Sequence, residues 1–142
     1  MAMKNNGAGP DADVLVVEGN SVNQEQIELD KDALDQLRQL EESGQPSFLN
    51  QVIDAYLEVS PAILAALLEG VRGSDASAIE HSAHTLKSSS ATLGAISFSK
   101  LCLRLEIIGR SEVLDEASDL IRAVQSEFSR VCEALARERL PE

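Results

Sequence analysis

Both histidines of the chain lie in one stretch, residues 81–95, together with a lysine and a run of small side chains. On a helix of 3.6 residues per turn, an apolar or small stripe falls within roughly 40° of one line and would face a core: Ile79, Ala83, Leu86, Ser90 and Leu93. His84 would point about 140° away from that stripe, with Lys87 as a neighbour on the helix surface. The stretch therefore predicts an open imidazole beside one ammonium group, which a partner could approach over Ser and Ala side chains.

Other kinds of catalytic site find little support. A serine-protease triad needs a buried acid and an oxyanion hole, and a helix face of serines offers neither. The chain has no glycine-rich phosphate loop and no metal-ligand spacing typical of zinc. We interpret the acidic residues between positions 25 and 32 as cap and dipole residues. By periodicity alone, His81 and His84 are equally well explained as solvated residues, with Lys87 paired to Glu80.

Composition narrows the class of protein. The length of 142 residues suits one domain, and the low aromatic content of 3% predicts an aliphatic core. The net charge of -12 argues against nucleic acid and anionic membrane surfaces as partners, and suits a basic or mixed-charge protein.

We expect Cys102 and Cys132 to be free thiols in a reducing cytosol. The sequence predicts no stretch that approaches the roughly 20 apolar residues of a membrane span, and no signal peptide is visible. We therefore expect a cytoplasmic protein without direct membrane contact.

The hydrophobic periodicity predicts a short first helix and a long second one. The first begins after Asp30 as N-cap and ends before Gly44 and Pro46. The second begins after Ser47 and continues through Pro61, where we expect a kink rather than a break because the apolar stripe stays in phase. The residues of that stripe are Phe48, Val52, Tyr56, Val59, Ile63 and Leu67.

Three further helices are predicted. The third is capped by Ser74 or Asp75 and ends at Gly94, the fourth ends at Gly109, and Ser111 caps the last. An apolar seam with steps of three and four residues runs along the last helix: Val113, Ala117, Leu120, Val124, Phe128, Val131 and Leu135. The predicted fold class is all-α, an up-and-down four-helix bundle with a short additional N-terminal helix. We expect a monomer, because the last seam is needed for the internal core.

The sequence of residues 83–95, AHTLKSSSATLGA, resembles the signature of histidine-containing phosphotransfer (HPt) domains of bacterial two-component phosphorelays. The similarity extends from about residue 29 to residue 137, and we assign residues 29–142 to this domain. The signature usually has Gly where this chain has Ser88. The resemblance implies that His84 accepts a phosphoryl group from an aspartate of a response-regulator receiver domain and passes it to another receiver.

The resemblance also implies roles for neighbouring residues. Lys87 would stabilise the phosphoryl charge, and Ser88 and Ser89 would supply small contacts or hydroxyl donors. On the fourth helix, Glu106 would orient the imidazole and Arg110 would add positive potential. The second and third helices would form a partly apolar docking surface for the receiver.

By the same resemblance, the chain is a carrier and not an independent enzyme. It needs no cofactor of its own, and magnesium belongs to the partner receiver. Two alternatives stay open: an adaptor bundle that binds a receiver without transferring phosphate, and the dimerisation domain of a histidine kinase, which would need a nucleotide-binding domain downstream.

Residues 1–28 are predicted to be a disordered or loosely packed N-terminal segment. Within it, residues 14–23 resemble the opening strand and first turn of a receiver domain, with Gly19 where a metal-binding acid is usual. This remnant favours a parent hybrid sensor kinase acting in cis over a free-standing carrier. Such a parent could be membrane-bound while this domain faces the cytosol.

Overall fold

The computed structural model describes residues 27–40 and 47–139, and within these residues it contains helices and no strand. The helices are α1 (Lys31–Arg38), α2 (Phe48–Arg72), α3 (Ala76–Thr92), α4 (Ile96–Ser111) and α5 (Ala117–Glu138). α3 packs most extensively on α4 and next on α2, while α5 closes the bundle against α4 and α2. The prediction of an all-α bundle with a short N-terminal helix is confirmed.

Side-chain caps set the starts of the first three helices. Asp30, Ser47 and Asp75 each accept a hydrogen bond from a backbone N–H two or three residues further along. Caps of this kind typically stabilise a helix by about 1 kcal/mol. The caps Asp30 and Ser47 agree with the prediction, and of the two candidates for α3, Ser74 and Asp75, the cap is Asp75. α1 ends earlier than predicted, at Arg38. The predicted stop at residues 44–46 and the predicted segment up to residue 26 lie outside the described residues.

An aliphatic core runs between the helices. The stripe predicted for the third helix is buried in full. The seam predicted for the last helix is buried from Ala117 onward, whereas Val113 lies before α5 and is 64% exposed. Tyr56 and Ser90 join α2 to α3 through a buried hydrogen bond of 2.8 Å between their hydroxyl oxygens. Cys102 is buried and Cys132 half-buried, and both are free thiols as predicted.

The buried face of α2 differs from the predicted one. α2 continues through Pro61 as one helix, as predicted. Its buried positions, however, are Leu49, Asn50, Ile53, Tyr56, Ser60, Leu67 and Gly70. Val59 is 53% exposed, and Val52 and Ile63 are only partly covered. α2 is apolar over more of its circumference than α3 and α5 can cover, so periodicity alone could not select the buried part.

By length and composition, α2 is also apolar enough to cross a membrane, the one such helix among the described residues. We had expected no such stretch. A single helix of this kind is weak evidence for a membrane span, since helices that contribute to a protein core have a similar composition. Leu49, Ile53 and Leu67 of α2 are fully buried within the bundle.

Gly94 turns the chain from α3 into α4 and fixes the approach to α1. Its φ is 82°, a left-handed conformation that favours glycine. Its carbonyl oxygen accepts a 2.8 Å hydrogen bond from the Asp30 N–H. A Cβ at Gly94 would lie 2.7 Å from the Asp30 oxygen. The start of α1 is therefore seated directly beside the start of α4.

Gly109 lies inside α4 and not at its end, which corrects the predicted helix boundary. A Cβ at this position would lie 2.7 Å from the Glu80 nitrogen and 2.9 Å from the Ala76 oxygen. The backbones of α3 and α4 therefore touch at Gly109. The missing side chain of this glycine serves the close approach of the two helices, and not a helix stop as the sequence pattern predicts.

The connection between α4 and α5 is also longer than predicted. α4 continues to Ser111, and Glu112 ends it with a left-handed φ of 62°. The Ser111 hydroxyl donates to the Ile108 carbonyl and accepts from the Val113 N–H. This serine therefore completes α4 instead of capping α5, which begins at Ala117.

We predict that Gly109→Ala lowers the free energy of unfolding by about 1–3 kcal/mol, the usual effect of overpacking, although alanine favours a helix. Urea denaturation would measure the change. Gly73→Ala is the matched control, because a Cβ there meets the Glu69 oxygen at an ordinary 3.4 Å. Equal stability of Gly109→Ala and the wild type would contradict a backbone contact at this point.

Candidate functional site

His84 lies in the middle of α3 with its side chain 56% exposed. Its Nδ1 atom is 3.0 Å from Oε2 of Glu106, which reaches across from α4. His81, one turn earlier, is also exposed, and the two histidines border a shallow polar depression of about 410 Å³. Its lining is Ser77, Glu80, His81, His84, Glu106 and Arg110.

The Glu106 side chain is only 4% exposed, and three basic side chains surround it. The ammonium group of Lys87 lies 2.7 Å from Oε1. Arg110, one turn further along α4, donates to Oε2 at 2.8 Å, and His84 shares the same oxygen. A buried carboxylate is costly unless it is paired and hydrogen-bonded. Here the pairing is provided by residues of both α3 and α4.

The surroundings of Glu106 favour its charged form. The hydrogen bond to Lys87 lowers the pKa of the Glu106 carboxyl, and the bond to His84 acts in the same direction, against the opposing effect of burial. An ionised carboxylate can only accept a hydrogen bond, so the proton of the imidazole must sit on Nδ1. The lone pair is then on Nε2, the nitrogen that the carboxylate leaves free.

A second acid, Glu80, completes the network. Arg110 donates from Nε to Oε2 of Glu80 at 3.2 Å, so its guanidinium connects an acid of α3 to one of α4. Sequence reasoning paired Glu80 with Lys87, whereas Lys87 pairs with Glu106. Glu80 lies on the same helix as Lys87, whereas Glu106 lies on the neighbouring helix. Only the packing of α3 on α4 decides which of the two acids pairs with Lys87.

The two serines of the predicted site have different positions. Ser88 is exposed, one turn after His84 on α3. Ser89 is half-buried, and its hydroxyl donates to the Thr85 carbonyl at 3.0 Å. Ser89 lines the contact with α2 and not the depression beside His84. The structure thus brings Lys87, Glu106 and Arg110 together around the imidazole network, and leaves Ser89 outside it.

A second concave surface lies between α2 and α3, and we call it the α2/α3 groove. It measures about 370 Å³, and its lining is almost entirely apolar. The lining residues are Val52, Ala55, Tyr56, Val59, Ser60, Ile63, Thr85, Ser89, Thr92 and Leu93. Thr85 directly follows His84 in the sequence, so the near edge of the groove lies about 100° around α3 from the histidine.

Among the described residues, neither the thiols nor the acids form a candidate metal centre. Within residues 27–40 and 47–139, no group of three or more His, Cys, Asp or Glu side chains is placed to hold a metal ion. Burial, with the Glu127 carboxylate nearby, raises the pKa of Cys102 to about 12. Burial likewise raises the pKa of Cys132. Both thiols are therefore protonated near neutral pH and poor metal ligands or nucleophiles.

A family model described as the Hpt domain matches residues 51–136. The chain belongs to the Hpt domain family. Among solved structures, it is similar to the histidine-containing phosphotransfer protein B (HptB) of Pseudomonas aeruginosa PAO1. The two share 29% sequence identity with a TM-score of 0.71, over 78% of this chain and 93% of the HptB chain. No curated protein sequence gives a significant match.

Family membership confirms the resemblance first found in residues 83–95 and places the chain among the histidine phosphotransfer carriers of two-component phosphorelays. Proteins of this family are carriers rather than enzymes, and they interact with response-regulator receiver domains. The matched residues 51–136 contain the whole His84 network of this Hpt domain.

We predict that Glu106→Gln lowers the free energy of unfolding at pH 7 by about 1.5–3 kcal/mol, the usual range for hydrogen bonds to a charged group. Because folding lowers the pKa of Glu106, the charge stabilises the fold above the unfolded-state pKa of about 4.3. This contribution is lost as the pH falls through the folded-state pKa. The difference between variant and wild type should therefore shrink below about pH 4, as measured by urea denaturation across pH.

Glu138→Gln is the control for this experiment. Lys31 and Arg38 lower the pKa of Glu138 in the same way, but its side chain is 22% exposed, so we expect a smaller loss. A Glu106→Gln effect that stays constant from pH 7 to pH 3 would rule out the carboxylate charge as its source.

Proposed function

We propose that His84 is the phosphoryl acceptor and donor of this Hpt domain. In this proposal it takes the group from an aspartyl phosphate of one receiver domain and passes it to the aspartate of another. The observation that carries the proposal is the hydrogen bond between Nδ1 and the buried, ionised Glu106, on a ring that is more than half exposed. His81 is exposed as well, but its ring forms no ion pair with a carboxylate among the described residues.

The chemistry follows from the tautomer. The Nε2 lone pair of His84 attacks the phosphorus atom of the aspartyl phosphate and forms a P–N bond. The bond from phosphorus to the aspartate oxygen breaks, and the aspartate leaves as a carboxylate with the electron pair. The ring keeps its proton on Nδ1 and gains positive charge, which the Glu106 carboxylate at 3.0 Å stabilises. Transfer to the second receiver reverses these bond changes.

Glu106 acts here as a positioning residue. It fixes the ring orientation and the tautomer. Lys87 favours its ionised form, and Arg110 forms a further ion pair with it. Both cations also add positive potential next to the incoming phosphoryl group. Ser88, which stands where the family signature usually has Gly, is small and exposed, so a receiver can still approach closely at this point of α3.

The partner in this proposal is a receiver domain that docks over the α2/α3 groove and places its aspartate at His84. The magnesium ion and the acids that bind it belong to the receiver. We further infer that the domain is monomeric and works in the cytoplasm, either alone or in cis with a hybrid sensor kinase.

We predict that His84→Gln abolishes labelling when the protein is incubated with a phosphorylated receiver, because glutamine has no nucleophilic ring nitrogen. The label on the wild type should be acid-labile and base-stable, as expected for a phosphohistidine. His81→Gln is the matched control, with an exposed histidine one turn away, and should be labelled like the wild type.

The same experiment separates the alternatives. Labelling of His84→Gln at the wild-type level would refute the assignment. Receiver binding without any label on the wild type would favour the non-transferring adaptor instead.

We also predict that Val59→Lys weakens receiver binding roughly 5- to 30-fold, as the loss of about 1–2 kcal/mol at an apolar interface position would do. Val59 is 53% exposed, so the variant should keep its thermal stability. Val113→Lys is the matched control, since Val113 is 64% exposed and lies outside the groove. Isothermal titration with the receiver measures both, and equal affinities would place the docking surface elsewhere.

A further inference from the structure

The solvent-facing side of α4 combines apolar and basic side chains. At about 100° per residue, six of the residues from Ile96 to Arg110 fall within a stripe roughly 120° wide. We call them the α4 stripe: Ile96, Lys100, Leu103, Arg104, Ile107 and Arg110. Ile96, Leu103 and Ile107 are 38%, 39% and 50% exposed, and they make up half of the large apolar side chains that are exposed in the described part of the chain.

The charge of the α4 stripe is opposite to that of the whole protein. The chain carries a net charge of -12, yet the stripe contains three cations and no acid. Arg110 is engaged by Glu80 and Glu106. Lys100 and Arg104 have no ion pair with any residue in the ranges 27–40 and 47–139. Exposed apolar side chains between free cations fit an occupant that is both apolar and acidic.

The chain itself contains such a segment before Ile27. Residues 11–18 read DADVLVVE, an apolar run of four residues flanked by acids on both sides. No lysine or arginine occurs between Lys4 and Lys31. The segment and the α4 stripe are therefore complementary in charge and both contain apolar side chains.

The point where the segment joins the bundle is close to the α4 stripe. The Asp30 N–H donates to the Gly94 oxygen at 2.8 Å, two residues before Ile96 begins α4. Positions 17 and 27 are ten Cα–Cα steps apart, and an extended chain of that length reaches about 33 Å. α4 itself is about 24 Å long. The tether is thus longer than the helix that carries the stripe, and its anchor lies beside the start of that helix.

We propose that residues 11–18 bind the α4 stripe of the same molecule. The apolar run covers Leu103 and its apolar neighbours, and the flanking acids pair with Lys100 and Arg104. The α2/α3 groove is the less suitable place, because none of its lining residues is a cation that could pair with the acids. The stripe ends at Arg110, so a segment bound along it lies beside the His84 network. This inference does not depend on phosphotransfer.

A spin label on the full chain tests the proposal. Ala12→Cys, combined with Cys132→Ser, leaves only the buried Cys102 as a competing thiol. A nitroxide at position 12 should broaden the backbone amide signals of residues 100–107 in NMR spectra, and not those of Val52, Val59 and Ile63 in the groove. Broadening centred on the groove would overturn the proposal.

Charge reversal separates specific binding from chance proximity. Lys100→Glu with Arg104→Glu should reduce the broadening rate several-fold, and adding Asp13→Lys with Glu18→Lys should restore it. Arg122→Glu is the matched control, an exposed cation on α5, and should leave the broadening unchanged. Broadening that persists when only Lys100→Glu and Arg104→Glu are present would refute the proposal. So would broadening that appears between a spin-labelled copy and a separate isotope-labelled copy, since that would make the occupant a second molecule.

Discussion

A nearly inaccessible carboxylate at the contact between α3 and α4 is the interaction on which the site depends. Glu106 reaches His84 and Lys87 on α3 and Arg110 on its own helix, within 3.0 Å of each. A charge in this position is tolerated only while these partners stay in place. The same contacts therefore fix the orientation of the imidazole and the relative placement of the two helices.

Close approach of the two backbones makes this arrangement possible. Gly109 lets α4 touch α3 at Glu80, one turn from the carboxylate. Ala83 and Ser82 of α3 are buried, and their small side chains are compatible with a close approach of the two helices. A hydrogen bond from the Ser99 hydroxyl to the Lys87 carbonyl at 2.9 Å joins the same helices near the lysine. The site is thus a property of a helix pair, held in place by the aliphatic core behind it.

His84 lies between two exposed surfaces of different chemistry. On one side, the α2/α3 groove is apolar and uncharged, which suits a partner that must dock and then leave. On the other side, the α4 stripe mixes isoleucine and leucine with the cations Lys100 and Arg104, which form no ion pair within the described part of the chain. Occupants of these two surfaces would both border the histidine without competing for the same side chains.

The sequence by itself determined the starts of the first three helices, the buried stripe of α3, the exposure of His84 and the family. These features depend on contacts within one helical turn or on a contiguous signature. At Asp75, for example, the side chain accepts a hydrogen bond from an N–H only three residues further along. The tertiary structure alone decided that Lys87 pairs with Glu106 and that Val59 is exposed. It also decided that α4 runs past Gly109. Each of these features depends on which helix packs against the residue in question. The residue pattern along a single helix does not specify that neighbouring helix.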